Sequence, residues 1–271
     1  MSNSQRADRQ AAGDFAGKYG PWALITGAAQ GLGAAFADAV ASRGLNVVLL
    51  DVQRDRVEEQ ARAVQRDHGV VTRAVVVDLS KRDFMQSLRA QTAQLEIGLL
   101  ICNAGIGRSG LFLQQDIGLM LQEIDVNCAA PLMLAHGFGS DMAARGRGGI
   151  VFVSSGSGLQ GSPIFASYAA SKAYDLVLGE ALWYELRQHG VDVLSFIPGP
   201  TNTPGLRSTH PELREGVSTA RIKLPAPTAE AALRALGRGP VAARDVMLGR
   251  RLVRRRKAVE KMGEQFLPQQ A

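Results

Sequence analysis

The chain contains 271 residues, of which 46% are hydrophobic and 21% are charged, so it can bury a large core and is not a wholly disordered polypeptide. The formal net charge is +6, and it is accounted for by residues 244–261, where eight basic residues accompany two acidic ones. A charge confined to one segment argues against a nucleic-acid enzyme, which usually spreads basic residues over a binding face.

Short apolar runs alternate with longer stretches of helical spacing along most of the chain. The predicted strands are Trp22–Thr26, Asn46–Leu50, Val71–Val77, Gly98–Cys102, Gly149–Ser154 and Val191–Ile197, and the predicted helices include Leu32–Ser42, Arg54–His68 and Phe84–Leu95. Strands that alternate with helices predict a parallel sheet, and unbroken apolar runs fit strands that are buried on both faces. We therefore expect a doubly wound α/β domain with helices on both faces of one sheet.

The C-terminal third is less regular. Residues 201–227 contain four prolines and little periodicity, which predicts a long loop or a short helical excursion. A helix is expected to follow, with Thr228 as its N-cap and Glu230 in its first turn. A last strand is expected near Val241.

The remaining features bear on location and metal binding. Residues 1–20 are polar and lack the apolar segment of a signal peptide, and no stretch approaches the roughly 20 apolar residues of a membrane span. Cys102 and Cys128 each lie beside an apolar run, which predicts reduced, buried thiols. We expect a cytoplasmic protein, and its four histidines do not show metal-ligand spacing.

A glycine-rich turn, Thr26–Gly33, joins the first predicted strand to the first predicted helix. Gly27, Gly31 and Gly33 would let the backbone turn tightly and approach a pyrophosphate, while the helix N-terminus would offer unpaired N–H groups. A glycine-rich turn alone is weak evidence, but its position between a strand and a helix favours a dinucleotide site.

Asp51 follows the second predicted strand, 18 residues after Gly33. A carboxylate at this point accepts hydrogen bonds from an adenosine ribose and repels a 2′-phosphate. This favours NAD over NADP, although Arg54 lies close enough in sequence to attract a phosphate. A solvated loop aspartate is the alternative interpretation.

Tyr168 and Lys172 stand four residues apart in a helical stretch, so their side chains share one face. A neighbouring cation favours the phenolate, which makes Tyr168 a candidate general acid/base for an alcohol or ketone oxygen. Ser155 follows a strand at the edge where open α/β sheets place their sites, and Ser154 and Ser157 are rivals for its role. The alternative for Tyr168 and Lys172 is a simple surface pair.

With these motifs in this order, the chain resembles the single-domain short-chain dehydrogenases/reductases over residues 21–240. The matching motifs are Thr26–Gly33, Asp78, Asn103 to Gly105, Asn127, Ser155, Tyr168 with Lys172, and Pro198 with Gly199. The resemblance implies a Rossmann-type catalytic domain over residues 21–240, with residues 201–227 as a substrate lid. Residues 1–20 would be an N-terminal extension and residues 241–271 a basic helical segment.

The resemblance also implies roles for individual residues. Tyr168 would be the acid/base, Ser155 would position the substrate oxygen, Lys172 would hold the nicotinamide ribose, and Asn127 would support a water relay. The implied cofactor site consists of Gly27, Gly31, Leu32, Gly33, Asp51, Asp78, Leu79, Asn103, Ala104, Gly105, Tyr168, Lys172, Pro198, Gly199, Thr201 and Thr203.

Residues 19–22 and 97–100 are similar to the branch that contains hydroxysteroid dehydrogenases and 3-ketoacyl reductases. Those relatives often use NADP, and Asp51 departs from their pattern. The candidate pocket residues Ile106, Leu159, Phe165 and Leu206 are apolar. They favour a lipophilic secondary alcohol or ketone, and the alternative is that several of them only pack the core.

Relatives in this family usually form dimers or tetramers through the helices that correspond to those of Asn127 and Tyr168, so a homo-oligomer is expected. The basic tail is predicted to pack on a neighbouring subunit rather than to lie on an anionic membrane through residues 244–261. Nucleic-acid binding is not favoured, because no aromatic platform accompanies the charge. The leading functional hypothesis is an oxidoreductase, and the alternative is a nicotinamide-binding sensor or scaffold without turnover.

Overall fold

The structure is a computed structural model that describes residues 13–209, 214–219 and 222–244. Seven parallel strands form one sheet in the order β3-β2-β1-β4-β5-β6-β7. The strands are β1 (Trp22–Thr26), β2 (Asn46–Asp51), β3 (Thr72–Val76), β4 (Ile97–Cys102), β5 (Gly148–Val153), β6 (Val191–Ile197) and β7 (Val241–Ala243). The predicted parallel sheet is confirmed, and so is the expected strand near Val241.

Helices connect the strands and cover both faces of the sheet. Residues 13–19 are helical and are labelled α1. The others are α2 (Gly31–Ala41), α3 (Arg54–His68), α4 (Phe84–Thr92), α5 (Ile117–Ile124), α6 (Ala130–Arg145), α7 (Ala166–Leu186), α8 (Pro204–Thr209) and α9 (Pro225–Ala235). Helix α8 is the short helical excursion expected within residues 201–227. The basic tail beyond residue 244 lies outside the described residues.

The sheet separates two apolar layers. One layer joins the sheet to α2, α3 and α9, with Phe36 and Val57 among its buried side chains. The other joins it to α4, α6 and α7, with Leu88 and Phe138 among its buried side chains. Burial on both faces explains why the strands appear in the sequence as unbroken apolar runs.

The chain reverses its direction of sheet growth after β3, since β4 pairs with β1 on the side opposite β2. Ligands of open α/β sheets bind in the crevice that such a reversal opens at the carboxyl ends of the strands. The crevice here lies between the segments that follow β1 and β4.

The prediction for the start of the last helix is wrong. Helix α9 begins at Pro225 and its N-cap is Leu224, because proline fits the first helical turn, where its missing N–H costs nothing. Thr228 lies inside the helix and its Oγ1 donates to the carbonyl oxygen of Leu224 at 2.7 Å. Glu230 lies beyond the first turn and forms an ion pair at 2.7 Å with Arg43, which lies in the turn that follows α2.

The expectation about membrane spans also needs correction. Helices α5 and α6 join through a π-helical turn, Asp125–Ala129. Together they make 29 helical residues, Ile117–Arg145, with a mean hydropathy of 1.2 in the most apolar window. That length and composition would allow a membrane span. Leu134, Phe138 and Met142 of this helix pack in the layer against the sheet, as in the core helix of a globular domain.

Helix α7 lies unusually close to the sheet at Gly179. A β-carbon placed on Gly179 would lie 2.1 Å from Ser195 Oγ of β6 and 3.0 Å from the Phe152 ring of β5. Ser195 Oγ lies 3.2 Å and 3.1 Å from the backbone oxygens of Asp175 and Leu176, to which it can donate. The absence of a side chain at residue 179 therefore sets the distance between α7 and the sheet.

Replacing Gly179 with alanine is expected to lower the free energy of unfolding by about 1–3 kcal/mol, because the added methyl group would overpack this contact. The matched control is Gly17→Ala in α1, where a β-carbon meets nothing within 4 Å. That variant should be more stable by about 0.5–1 kcal/mol, because alanine loses less backbone entropy than glycine in a helix. Urea unfolding of both variants measures the difference, and equal stability would contradict the close contact.

Candidate active site

The glycine-rich turn has the conformation that a close approach of backbone to ligand requires. Gly27 and Gly31 have φ values of +65° and +62°, which favour glycine. A β-carbon on Gly33 would lie 2.0 Å from the carbonyl oxygen of Gly27. Leu32 and Gly33 are buried in the first turn of α2. The turn thus presents bare backbone and a helix N-terminus to the crevice, as a pyrophosphate site needs.

Asn103 ties the segment after β4 to this turn. Its Nδ2 donates to the backbone oxygens of Thr26 at 2.9 Å and Gly27 at 3.2 Å. Thr26 Oγ1 accepts from the backbone N–H groups of Asn103 and Ala104, both at 3.0 Å. Gly105 continues the segment toward α7, since a β-carbon there would lie 3.4 Å from Lys172 Nζ. These residues form a continuous floor from the glycine turn to Lys172.

Asp51 lies at the edge of the turn with 7% of its surface exposed. Its Oδ2 accepts from Ala29 N at 3.1 Å, and its Oδ1 accepts from Gln53 N at 3.0 Å. The backbone N–H groups hold the carboxylate beside the place where an adenosine ribose would lie. The structure brings Asp51 and the glycine turn together, as the sequence predicts.

Arg54 does not approach the turn, because it forms an exposed pair with Glu58 at 3.4 Å. Arg56, two residues further along α3, was not singled out from the sequence. It donates to Gln30 Oε1 at 2.7 Å and to Gln53 Oε1 at 2.9 Å. The cation at the mouth of the turn is therefore Arg56. Only the direction in which the helix presents each arginine distinguishes the two.

Asp78 and Leu79 follow β3, on the Asp51 side of the crevice. Val77 N donates to the backbone oxygen of Asp51 at 3.2 Å, which places the two strand ends side by side. Asp78 Oδ1 accepts from Ser80 N at 2.9 Å and from Ser80 Oγ at 2.7 Å. Burial alone would raise the pKa of Asp78, but these hydrogen bonds hold it below its usual range. Leu79 is buried in the adjoining layer.

Asn127 lies in the π-helical turn and is fully buried. Its Nδ2 donates to the Ile106 oxygen at 2.7 Å and to Ser171 Oγ at 3.0 Å, and its Oδ1 accepts from Ile106 N at 2.9 Å. One side chain therefore joins the segment after β4 to α7. The extra residue of a π-turn is often found at functional sites, and here it holds the crevice floor in place.

The structure separates the candidate serines. Ser154 is buried and its Oγ donates to the backbone oxygen of Lys172 at 2.6 Å, so its hydroxyl is used in attaching α7 to β5. Ser155 is partly exposed and caps a 3₁₀ turn, with its Oγ accepting from Ser157 N at 3.2 Å. An accepting hydroxyl oxygen keeps its own proton free to donate. Ser155 is therefore the better candidate for a substrate contact.

Tyr168 lies in the first turn of α7 and is partly exposed. The segment after β4 packs directly on its ring, since a β-carbon on Gly107 would lie 2.7 Å from Tyr168 Cδ2. Lys172 lies one turn further along the same face, and its ammonium interacts electrostatically with the Tyr168 side chain. The predicted sharing of one helix face is confirmed, and the alternative of a surface pair is wrong because Lys172 is buried.

A carboxylate that the sequence analysis missed accompanies Lys172. Lys172 Nζ donates to Asp175 Oδ2 at 2.9 Å and to the Val153 oxygen of β5 at 2.9 Å. Burial alone would lower the pKa of Lys172, but the Asp175 carboxylate raises it above its ordinary value. Burial also raises the pKa of Asp175, and the lysine offsets only part of that effect. The spacing of three residues along a helix was the available sequence signal.

The segment after β6 lies over the glycine turn. Gly199 has a φ of +68°, and Thr201 Oγ1 donates to its oxygen at 3.1 Å. A β-carbon on Gly31 would lie 3.2 Å from Thr203 Cβ. Pro198 and Gly199 directly follow β6, so they start from the same edge of the sheet as Ser155. The four predicted residues of this segment, Pro198, Gly199, Thr201 and Thr203, thus border the crevice.

The candidate pocket residues divide into two groups. Leu159 packs against Leu176 and Ile197 in a small cluster below the crevice, so the core-packing alternative holds for this residue. The three others are partly exposed: Ile106, Phe165 and Leu206.

An apolar lip is formed by the segment after β4, whose Gly107 packs on the Tyr168 ring, and by the turn before α7. It consists of Leu111, Phe112, Leu113 and Ile164, all of them exposed, with Leu113 at 94%. Gly110 N donates to the Ile164 oxygen at 2.8 Å, which joins the segment after β4 to the segment before α7. Ile164 has a φ of +62°, an uncommon conformation for a β-branched residue that is often found near functional sites.

Comparison with known proteins identifies one family. The family model described as short chain dehydrogenase matches residues 21–214. A 7beta-hydroxysteroid dehydrogenase of Clostridium sardiniense is 31% identical over 207 residues, which cover 76% of this chain and 79% of that protein. A solved short-chain dehydrogenase from Sphingobium yanoikuyae in complex with NADPH is 27% identical, with a TM-score of 0.79. The match covers 93% of this chain and 98% of that one.

A human relative is described as inactive hydroxysteroid dehydrogenase-like protein 1. It is 34% identical over 188 residues, which cover 68% of this chain. The match spans 57% of the length of the human protein and 57% of the length of its counterpart in Gallus gallus.

Replacing Gly33 with alanine is expected to weaken NADH binding at least about tenfold, because the methyl group must displace the Gly27 oxygen or the Asn103 amide; tenfold corresponds to about 1.4 kcal/mol. Gly161→Ala is the control, since a β-carbon there meets nothing within 4 Å. Nicotinamide fluorescence at fixed salt measures both affinities. Wild-type affinity in Gly33→Ala would mean that the turn does not contact the cofactor.

Proposed function

The chain belongs to the short-chain dehydrogenase family, and we propose that it is an NAD(P)-dependent oxidoreductase acting on a lipophilic secondary alcohol or ketone. The observation that supports this most directly is the arrangement of Tyr168, Lys172 and Asn127 beside the glycine turn. These side chains lie at the carboxyl edge of a parallel sheet, where open α/β folds bind their ligands.

The residues present fit a dinucleotide. Gly33 leaves a space that a β-carbon would fill, and the N-terminus of α2 opens toward it. When bound, the cofactor supplies the hydride acceptor or donor. Gly27, Gly31 and Leu32 would hold its pyrophosphate, and Asp51 would accept hydrogen bonds from its adenosine ribose. Asp78 with Leu79 would border the adenine.

The nicotinamide end would lie over the segment from Asn103 to Gly105 and under the segment that follows β6. In the second segment Pro198, Gly199, Thr201 and Thr203 would cover it. Lys172 would hold the nicotinamide ribose through the N–H that its two protein acceptors leave free, since an ammonium has three donors.

Proton transfer would run through Tyr168. In ketone reduction its hydroxyl gives a proton to the substrate oxygen, and in alcohol oxidation the phenolate takes that proton back. Ser155 Oγ donates a hydrogen bond to the same oxygen, which fixes the substrate and stabilises the charge that develops on it. Lys172 favours the phenolate as a nearby cation. Asn127 acts by holding the Ile106 backbone against α7.

The apolar lip supports the substrate class. Leu111, Phe112, Leu113 and Ile164 expose apolar side chains in two segments that a backbone hydrogen bond joins, and large exposed apolar surfaces often mark binding sites. A lipophilic substrate would bury this surface. The resemblance to a 7beta-hydroxysteroid dehydrogenase is consistent with a substrate of this class.

Self-association would explain a second apolar surface. Exposed apolar side chains follow the outer face of α5, α6 and α7: Ile117, Leu121, Ile124, Leu132 and Val177. Burying them against a second copy of the chain would remove them from water. These helices are the ones that carry, or adjoin, the segments of Asn127 and Tyr168.

Asp51 favours NAD, and Arg56 is the group that opposes it. A 2′-phosphate at this position would meet a buried carboxylate, which repels it, and an arginine at the mouth of the turn, which attracts it. The carboxylate is held by two backbone N–H groups, whereas the arginine is exposed and screened by solvent. The balance therefore supports NAD as the preferred cofactor.

Wild-type protein is expected to bind NADH at least about tenfold more tightly than NADPH, a difference of about 1.4 kcal/mol. Asp51→Ser should reduce the preference by strengthening NADPH binding, because it removes the repulsion while Arg56 stays in place. Asp55→Ser, in the exposed first turn of α3, is the control for the change in total charge. Tighter binding of NADPH by the wild type would show that Arg56 outweighs Asp51.

Tyr168→Phe is expected to reduce turnover of a lipophilic secondary alcohol, such as 1-phenylethanol or a hydroxysteroid, by about 100-fold or more. NADH affinity should stay within about twofold of wild type, because the hydroxyl is lost and the ring remains. Tyr184→Phe, on the same helix, is the control. Full activity of Tyr168→Phe would contradict the mechanism.

A wild type that binds NADH without turning over any such alcohol would favour the sensor hypothesis, which the inactive human relative makes worth testing.

A further inference from the structure

The positive charge of buried Lys172 is neutralised by the buried carboxylate of Asp175. Their side chains are 5% and 2% exposed, and Asp175 Oδ2 lies 2.9 Å from the ammonium. Asp175 Oδ1 is also buried, and it accepts no hydrogen bond from the described residues. A buried carboxylate with one oxygen unpaired is costly, and the low dielectric of the interior leaves its negative charge weakly screened from nearby groups.

The titratable groups that face the pair come from several elements. Tyr168 lies on the same helix, Cys128 faces the pair from the π-helical turn, and Cys102 faces it from the end of β4. Burial raises the pKa of Cys128 to about 11 and raises that of Cys102 further, so both thiols stay neutral.

Two groups lie further out. Glu123 of α5 adds to the effect of burial in raising the pKa of Cys128, and its Oε2 accepts from the Arg108 backbone N–H at 3.1 Å. Burial, and then the nearby Cys128 and Asp175 side chains, raise the pKa of Tyr174 in α7. Among the described residues that surround Tyr168, the charged groups in direct contact with each other are therefore the Lys172 ammonium and the Asp175 carboxylate.

Charge balance gives the direction of the effect. With Asp175 ionised, the pair has no net charge, so loss of the Tyr168 proton leaves a buried cluster with a charge of −1. With a neutral residue at position 175, the same step would take the cluster from +1 to zero. A low-dielectric interior penalises net charge, so the phenol releases its proton more easily in the second case.

We propose that Asp175 is a positioning residue that holds Lys172 Nζ in place and screens its positive charge at Tyr168, so that Tyr168 keeps its proton to a higher pH than an unscreened Lys172 ammonium would allow. The inference rests on the proposed function, in which Tyr168 transfers the proton. Asp175 and the Val153 oxygen hold two of the three ammonium N–H groups. The ammonium also lies close to Gly105 and Asn127, since a β-carbon on Gly105 would lie 3.4 Å from Nζ and 3.5 Å from Asn127 Oδ1.

The test is a direct titration of the Tyr168 phenol, which needs neither turnover nor cofactor. The full chain is labelled with tyrosine carrying ¹³C at Cζ, and Tyr168→Phe identifies the Tyr168 signal among the four tyrosines. In Asp175→Asn the midpoint is expected to fall by about one pH unit relative to wild type. An unchanged midpoint would overturn the proposal. A raised midpoint would also overturn it, because it would mean that Lys172 loses its proton without Asp175.

Three further variants separate charge from packing. Asp175→Glu should keep the wild-type midpoint, because it restores the carboxylate. Asp175→Leu should lower the midpoint as Asp175→Asn does, and it replaces that variant if the asparagine form does not fold. Asp141→Asn is the control for total charge; its carboxylate pairs with Arg89 at 2.6 Å, away from the pair. A shift in Asp141→Asn equal to that in Asp175→Asn would overturn the proposal.

Turnover distinguishes a failure of this inference from a failure of the proposed function. If the wild type is active, its pH profile of kcat/KM for oxidation of 1-phenylethanol can be compared with that of Asp175→Asn. The acidic limb of the variant should lie at lower pH, by the same amount as the midpoint of the phenol titration. An active wild type with an unmoved limb would reject the role of Asp175 and leave the oxidoreductase in place. An inactive wild type would reject the oxidoreductase, and the phenol titration would still decide the effect of Asp175.

Discussion

Burial of the Lys172 ammonium is the constraint on which the rest of the site depends. A charged group that leaves water must find a counter-charge and hydrogen-bond acceptors. The β5 carbonyl of Val153 and the carboxylate of Asp175 supply them. Because one acceptor belongs to the sheet and the other to the helix, satisfying the ammonium also fixes α7 against β5. Ser154 and Gly179 reinforce the same contact at its two ends.

The opposite side of the crevice is built from backbone. The glycine turn has few side chains, so main-chain groups can approach a ligand closely. The turn is stabilised instead by hydrogen bonds from the Asn103 side chain. Asn127 makes the equivalent connection between Ile106 and α7. Two amide side chains, the part-buried Asn103 and the buried Asn127, therefore position the segment after β4 between the glycine turn and α7. Hydrogen-bonded polar side chains of this kind give a site one defined geometry.

The proposed function depends on the groups that these connections leave exposed. Ser155 and Tyr168 keep hydroxyl groups on the crevice side, while the apolar lip offers lipophilic surface next to them. In the proposed mechanism Asp175 adds a second level of control, since it limits how strongly the lysine charge acts on Tyr168. The proposed site combines a fixed cation, a hydroxyl group that exchanges its proton, and an apolar entrance.

Sequence periodicity by itself determined the parallel sheet, the glycine turn, the shared face of Tyr168 and Lys172, and the position of Asp51, because these depend on residues that are close along the chain. Tertiary structure alone decided the rest. Ser154 and Ser155 are neighbours in sequence, but only packing shows that the first attaches α7 to β5. Arg54 and Arg56 both lie in α3, and only the packing of that helix shows that Arg56, not Arg54, faces the glycine turn. Asp175 becomes a partner of Lys172, rather than a solvated residue, because β5 and β6 cover that face of α7. Burial of a polar or charged side chain depends on contacts between segments far apart in the chain, and no local pattern reveals it.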